Sequence, residues 1–512
     1  MTATPPAIFP VSSRFLRLLA LSFAVTLALA ARADETVPAP LAVPAPGTAL
    51  TLEDAIRLAL ANNQQIKVSS YNPQIAKANV LAAYGRFDPA FNFSRSYGET
   101  ETPGNIVPPG VRPVTKTDDY SLTLDGLMPW GLVYSIGGSA ENQRGTFNNF
   151  VDSYATFGGV TVTQPILRGF GFGANLADLR VAKANRGISN WQHRQTVIDT
   201  ITSVIFVYNN LQEARDSVRI ARLSRDNAAQ LLDENEKKHK VGDISDADVT
   251  QARARVASRE EAILLAERSV YDIENQLREL IGEKNFPLNG PPLATEVLAP
   301  APDLAVDLAT DLKSAYDLRP DYQAARLGVT ISRANNSAAW NALLPRLDFV
   351  GTYGYGGLDP NFPTARTQVR SEDARVYSIG MVVSVPLTFA EGRGRARAAK
   401  LTLRQSEASL AKLETDIALS VTAAAGQIAT TKKRVEVTRA AYKLQQQVLI
   451  DNQKLYKAGN TTTFFVLQEQ EILASDQDDY SHALADQRRA AANYDAELGR
   501  TLERFHITIP QE

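Results

Sequence analysis

Two stretches of this chain, from about Ala174 to Lys240 and from about Arg395 to Lys457, contain no proline. As unbroken helices each would reach about 95–100 Å, at 1.5 Å per residue. Helices of that length need neighbours along their whole flank. The packing signal is a seven-residue spacing. Val249, Val256, Ile263, Val270 and Leu277 recur every seven, with Ala252, Ala266, Ile273 and Leu280 three further on. This is an a/d seam. In the second long stretch Leu403, Leu410, Ile417 and Ala424 recur in the same way. The series restarts four residues later at Ile428 and continues through Val435, Tyr442, Leu449 and Tyr456. Such a stutter locally unwinds a supercoil and suits helices lying side by side in a wide cylinder. A solitary coiled-coil rod is the plainer alternative.

The long stretches belong to a doubled unit. Residues 52–98 align without a gap on 308–354: Leu52 meets Leu308, Pro89 meets Pro345, Phe93 meets Phe349, and Tyr97-Gly98 meets Tyr353-Gly354. Further on the offset shifts. Pro165 falls on Pro386, Gly173 on Gly394, Lys240 on Lys457, Gly242 on Gly459, Gln251 on Gln468, and Gly282 on Gly499. A drifting offset is what insertions between fixed elements produce. Each unit reads as a helix, a β region, a very long helix, a glycine turn and a returning helix. The first helix starts with Thr51 as cap and runs over Leu52 to Leu60, with Glu53 and Asp54 in its first turn. Its counterpart is expected as one helix over Asp311 to Ala339.

The N-terminus predicts export. Arg14 and Arg17 precede an apolar run from Leu18 to Ala30, and Ala31-Arg32-Ala33 follows before Asp34. That is a signal-peptide pattern. The run is shorter than the roughly 20 residues of a membrane-spanning helix. No later stretch is apolar enough to span as a helix, so any insertion by the mature chain must use β-strands. The chain of 512 residues has no cysteine, which suits an oxidising compartment and removes disulfides and thiolate chemistry. A formal charge of -2 gives no basic surface for nucleic acid.

The β regions alternate with period two. Phe91, Phe93 and Tyr97 alternate with Asn92, Ser94 and Ser96. Similar faces recur at Tyr120, Leu122 and Leu124, at Leu132, Tyr134 and Ile136, at Leu347, Phe349, Tyr353 and Tyr355, and from Tyr377 to Val385; residues 154–163 are mixed but strand-like. Apolar faces about ten residues long suit transmembrane barrel strands. The same alternation builds soluble sandwiches; the export signal and the long helices favour the barrel. Four to six strands cannot close a barrel, and open edges are forbidden in lipid. If they cross a membrane, several copies must share one barrel. The helices then continue it as a second cylinder, and the whole is a conduit.

This plan resembles the TolC family of outer-membrane efflux proteins over essentially the whole mature chain. TLEDAIRLALANN at 51–63 resembles the family's opening helix. TVTQPILRGFGFG at 161–173 and VVSVPLTFAEGRG at 382–394 resemble its two strand-to-helix junctions. KVGD at 240–243 and KAGN at 457–460 resemble its two helix–turn–helix tips. The resemblance implies a mainly α fold with transmembrane β, in two structural repeats, assembled as a homotrimer with a 12-stranded barrel in outer-membrane lipid. It also implies docking to a periplasmic adaptor (membrane fusion) protein and an inner-membrane pump of RND or ABC type. Pro165 and Pro386 would redirect the chain from strand to helix, and Gly171, Gly173, Gly392 and Gly394 would let it turn. The tip residues would be Lys240, Gly242, Lys457 and Gly459, with Asp248 paired to Tyr456. Thr461 stands where a basic residue often joins such a lock, and Phe465 and Gln468 stand where an acidic ring is expected. An aromatic constriction is therefore expected in place of a carboxylate one. A second departure is an extra hairpin at roughly 119–140, turning at Pro129-Trp130-Gly131, which either loops outside or adds strands.

The expected layout is a signal peptide over 1–33, a Pro/Ala-rich leader over 34–50, a first repeat over 51–285 with strands at about 88–165, a linker over 286–304, a second repeat over 305–505 with strands at about 345–388, and a tail over 506–512. No catalytic constellation or cofactor motif stands out. His193, His239, His482 and His506 lack ligand spacing. The main rival to an outer-membrane duct is a periplasmic coiled-coil adaptor or scaffold, which usually carries one helical hairpin where this chain has two.

Overall fold

The computed structural model describes residues 49–103, 112–282 and 292–509. The signal peptide, nearly all of the leader and the start of the 286–304 linker lie outside these residues.

The doubled plan is visible element by element. The first repeat holds α1 (Leu52–Asn62), α2 (Gln64–Tyr84), β1 (Ala90–Glu101), β2 (Val114–Leu127), β3 (Val133–Gly145), β4 (Tyr154–Pro165), a short α3 (Phe172–Asn175), α4 (Ala177–Lys240) and α5 (Asp246–Ile281). The second holds α6 (Leu308–Leu318), α7 (Pro320–Leu343), β5 (Arg346–Asp359), α8 (Phe362–Arg370), β6 (Ala374–Ser384), α9 (Ala390–Lys457), α10 (Thr463–Glu497) and α11 (Thr501–Arg504). Thr51 caps α1 as expected, its side chain accepting from the Asp54 N–H at 3.0 Å. The single helix expected from Asp311 to Ala339 is instead two. Pro320 drives Arg319 into an extended conformation (ψ 122°), which ends α6 and starts α7. Asn63 makes the matching break in the first repeat and caps α2 through its side chain.

The long helices α4 and α9 run 64 and 68 residues, about 96 and 102 Å. Their seams pack as the sequence pattern requires. Val249, Ala252 and Leu277 are buried on α5, and Ile417, Ala424, Val435, Leu449 and Tyr456 on α9, on both sides of the stutter. Among the described residues no helix is long and apolar enough to cross a membrane.

Midway along, the chain is cinched. Leu50 forms a parallel bridge with Thr295 and accepts a hydrogen bond from the Tyr208 hydroxyl at 2.8 Å. Gln212 donates to the Glu296 carbonyl and Arg488 to the Ala299 carbonyl, so the end of the linker binds α4 and α10. In the second repeat Arg319 forks onto Asp321 and also reaches Glu497, while the Tyr494 hydroxyl donates to Asp311 at 2.5 Å. Burial and the Asp311 carboxylate together push the Tyr494 phenol up.

The six strands form one antiparallel sheet in chain order, β1 to β6. The extra hairpin is thus part of the sheet, as β2 and β3 between β1 and β4. Twelve barrel strands from three copies would need four per chain; the described residues hold six. Register places Phe91, Leu124, Ile136, Val160, Tyr353 and Tyr377 on one face. Asn92, Thr123, Ser135, Thr161, Thr352 and Ser378 lie on the other. The apolar face is open: Phe91 is 67% exposed and Met381 68%. A soluble sandwich would bury such a face in its core. At the end far from the long helices, α8 lies on this face over Gly158 and Gly357, where a side chain would strike Val369 or the Ala365 carbonyl.

Candidate functional site: the tip and the strand–helix junction

The tip lies where α4 turns into α5 and α9 into α10. Gly242 (φ 84°) and Gly459 (φ 77°) are both left-handed, and the chain closes each helix in the same way. Asp243 N–H donates to the Lys238 carbonyl and Asn460 N–H to the Leu455 carbonyl, wrapping back over the last turn. A Cβ at either glycine would meet nothing within 4 Å, so the positive φ alone calls for glycine.

Beneath the turns the four helices meet on one residue, Asn235. It is fully buried, at 0% exposure. Its Oδ1 accepts from the Tyr456 hydroxyl on α9 at 2.6 Å. Its Nδ2 donates to Thr463 Oγ1 on α10 at 3.3 Å and reaches the Asp248 carbonyl oxygen on α5 at 3.5 Å. Lys238 stands 3.6 Å from the Tyr456 ring centroid and donates to its carbonyl at 3.1 Å. A buried amide with all its partners fixes one arrangement of the four helices.

The expected pairing of Asp248 with Tyr456 is not formed within the chain. The Asp248 carboxylate instead completes the capping box of α5, accepting from the Ser245 N–H at 3.2 Å and hydroxyl at 2.7 Å. A carboxylate three residues into a helix has its own N-terminus as nearest donor. Asn235 takes the Tyr456 hydroxyl, and no motif marked it; only its place about two turns before the tip glycine, on the packed side of α4, sets it apart. Lys240 and Lys457 are exposed, with Lys457 3.8 Å from Glu234. Thr461 lies half-buried in the second turn. Phe465 is half exposed, packed edge-on against Phe464 at 5.7 Å, and Gln468 is exposed one turn further along α10.

At the other end of the long helices the two junctions differ. Pro165 ends β4, and the chain then turns through Gly169 (φ 88°) and Gly171 (φ 90°). Asn341 from α7 accepts the Gly169 N–H at 2.7 Å, and Asn175 donates to the carbonyls of Gly169 and Gly171. The turn of the extra hairpin docks here, with the Gly171 N–H donating to the Trp130 carbonyl at 2.9 Å. Pro386 follows β6, but there the left-handed residue is Phe389 (φ 52°). Gly392 and Gly394 are not turn residues: α9 begins at Ala390 and contains both. Gly173 is likewise helical in α3. Gly392 has a packing reason, since a Cβ there would press on Leu343 at 3.0 Å.

Among the described residues no group of three or more His, Cys, Asp or Glu side chains could hold a metal ion.

Comparison with known proteins fits this geometry. A family model described as "Outer membrane efflux protein" matches residues 55–283 and 312–500, one segment per repeat. Two curated relatives are each described as "Pyoverdine export outer membrane protein OpmQ". The one from Pseudomonas putida is 27% identical over 320 residues, 60% of this chain and 63% of that protein. The one from Pseudomonas aeruginosa is 26% identical over 314 residues, 60% of this chain and 62% of that protein. The match therefore spans less than two thirds of either relative. Among solved structures, the outer-membrane channel OprN superposes with a TM-score of 0.67 at 17% identity, covering 91% of this chain and 96% of that one. The Campylobacter jejuni CmeC outer membrane channel superposes at 0.65 with 16% identity, covering 91% and 92%. At those identities the structures share the fold.

Proposed function

This chain belongs to the outer membrane efflux protein family, and from that premise we propose that it is an outer-membrane exit duct. It acts as a passive conduit across the periplasm and the outer membrane, in a tripartite efflux or type I secretion system. It works as a homotrimer, with its tips against a periplasmic adaptor and, through it, an inner-membrane pump of RND or ABC type. The observation that carries the reading is the sheet. One face is apolar and open, the other polar, and helices of about 100 Å continue from its end. An open apolar face on strands of this length belongs against lipid. The polar face and the helical walls then line a water-filled path. The export of pyoverdine by the curated relatives supports a small-molecule cargo ahead of a polypeptide. Phe465 beside Phe464 is the side chain we place at the narrow end of the path.

The rival reading is a periplasmic adaptor or scaffold. The two differ in where the mature protein resides. Outer membranes washed with alkali should retain it, and the purified protein should conduct ions across planar bilayers. Release into the wash as a soluble protein would sink the duct reading.

A further inference from the structure

The chain has the same two open flanks at every level. In the sheet they are β1 and β6. Between sheet and waist the helices pack in the order α2, α4, α7, α9, and between waist and tip in the order α5, α4, α10, α9. One flank is therefore β1, α2 and α5, and the other is β6 and α9. Both carry unpartnered apolar side chains. On α2, Val68 is 62% exposed and Ile75 58%, and on α5 Leu264 is 67% exposed. On α9, Leu419 is 65% exposed and Val437 67%, five helical turns apart on one face. Flanks that differ from each other but run the full length call for head-to-tail contact between copies. Such contact closes into a ring when the rotation allows.

The repeat then fixes how the strands meet. β5 is the second copy of β1, and β6 is the second copy of β4, by the alignments of Phe93 on Phe349 and Pro165 on Pro386. Within the chain β4 pairs with β5, Val160 lying opposite Tyr353 and Thr163 opposite Val350. The pseudo-equivalent pair is β6 with the β1 of another copy. Six strands is an even number, so β6 and that β1 run antiparallel, as β4 and β5 do.

We propose that β6 of one copy pairs with β1 of the next in the register of β4 with β5. Met381 then lies opposite Tyr97 and Ser384 opposite Ser94, and all six strands, the extra hairpin included, form the barrel wall. The faces agree: Met381 and Tyr97 both lie on the apolar face, Ser384 and Ser94 both on the polar one. The widths agree as well. Six tilted strands span about 38 Å of circumference. Four helices side by side span about 32–40 Å. Four strands would span only about 25 Å. The inserted hairpin thus makes the barrel as wide as the helical tunnel below it. Resting on the homotrimeric duct reading, three copies give 18 strands and a barrel about 36 Å across at the backbone, against about 24 Å for 12 strands. The exit then admits cargo as bulky as the tunnel can carry.

The absence of native cysteine makes the register directly testable. The variant with both Ser94→Cys and Ser384→Cys, oxidised in outer membranes, should run as covalent dimer and trimer without reductant. Ser94→Cys with Gly380→Cys, four residues out of register, should not. Electron microscopy of the unmodified protein should show a barrel about 36 Å wide at the backbone. Cross-linking in the shifted pair, or a barrel of about 24 Å, would overturn the proposal while the protein still resides in the membrane and conducts. Loss of membrane residence would instead count against the duct reading.

Discussion

The Tyr456 hydroxyl donates to Asn235 Oδ1 at 2.6 Å, tying the end of one long helix to the flank of the other at the tip. Through Asn235 the same contact extends to α5 and α10. Tyr456→Phe leaves a buried carbonyl oxygen unpaired, a loss of about 1–3 kcal/mol. The end of α9 then loses its tie to Asn235, which still holds α5 and α10. We expect larger and more frequent openings in planar-bilayer recordings, with the barrel unaffected. An unchanged conductance distribution would show that this contact does not hold the tip shut.

Gly459 is required by its backbone and not by its surroundings. Gly459→Val places a β-branched residue at φ 77°, where no atom crowds the new Cβ. The strain, about 1–2 kcal/mol for an ordinary L-residue and more for a branched one, falls on the turn alone. Adaptor-dependent export should fall while assembly and membrane insertion persist. Gly459→Asn should be milder, since asparagine tolerates this conformation. Full export by the valine variant would refute a docking role for the turn.

Arg319 joins the break between α6 and α7 to α9 and α10. Its guanidinium forks onto Asp321 at 2.8 and 3.1 Å and contacts Glu497, which also accepts from Ser420. Arg319→Ala would leave Asp321 without its guanidinium partner and Glu497 with Ser420 alone; both carboxylates are partly exposed, and the waist should lose about 1–2 kcal/mol. Arg319→Lys should rescue little, because a single ammonium cannot fork. Thermal unfolding in detergent, followed by circular dichroism, would read both.

Acid should loosen the waist. Burial works to raise the Asp321 carboxyl, but the Arg319 guanidinium outweighs it and holds the group below its ordinary range. At Asp486 burial is likewise outweighed, by Arg489, His482 and Arg434. A carboxylate depressed in the folded state contributes stability above its unfolded pKa. That contribution is lost as pH falls through the folded value. The contribution of these two carboxylates should therefore be flat down to about pH 4 and drop below it. Combining Asp321→Asn with Asp486→Asn should lower stability at neutral pH and flatten the acid limb. An equally steep acid limb in this variant would assign the loss to other groups.

The sequence by itself determined what is local or repeated. Seven-residue spacing and the lack of proline define α4, α5 and α9, because a seam needs only its own period. Thr51 and the tip glycines were legible because capping and positive φ depend on a few bonded neighbours. The repeat was legible because insertions leave the order of fixed elements intact. Tertiary structure alone decided the rest. Alternation marks a strand's two faces but not its neighbour, so only the register placed β2 and β3 inside the sheet. Asn235 carries no motif, and its role exists only where four helices converge. At the second junction the glycines suggested a turn, yet Phe389 makes it, and Gly392 lies inside α9 where a Cβ would press on Leu343. Asp248 had two possible partners, and the nearer donors at its own helix start took it. Which groups meet across the fold is settled by packing among distant segments, and that information is not carried by spacing along the chain.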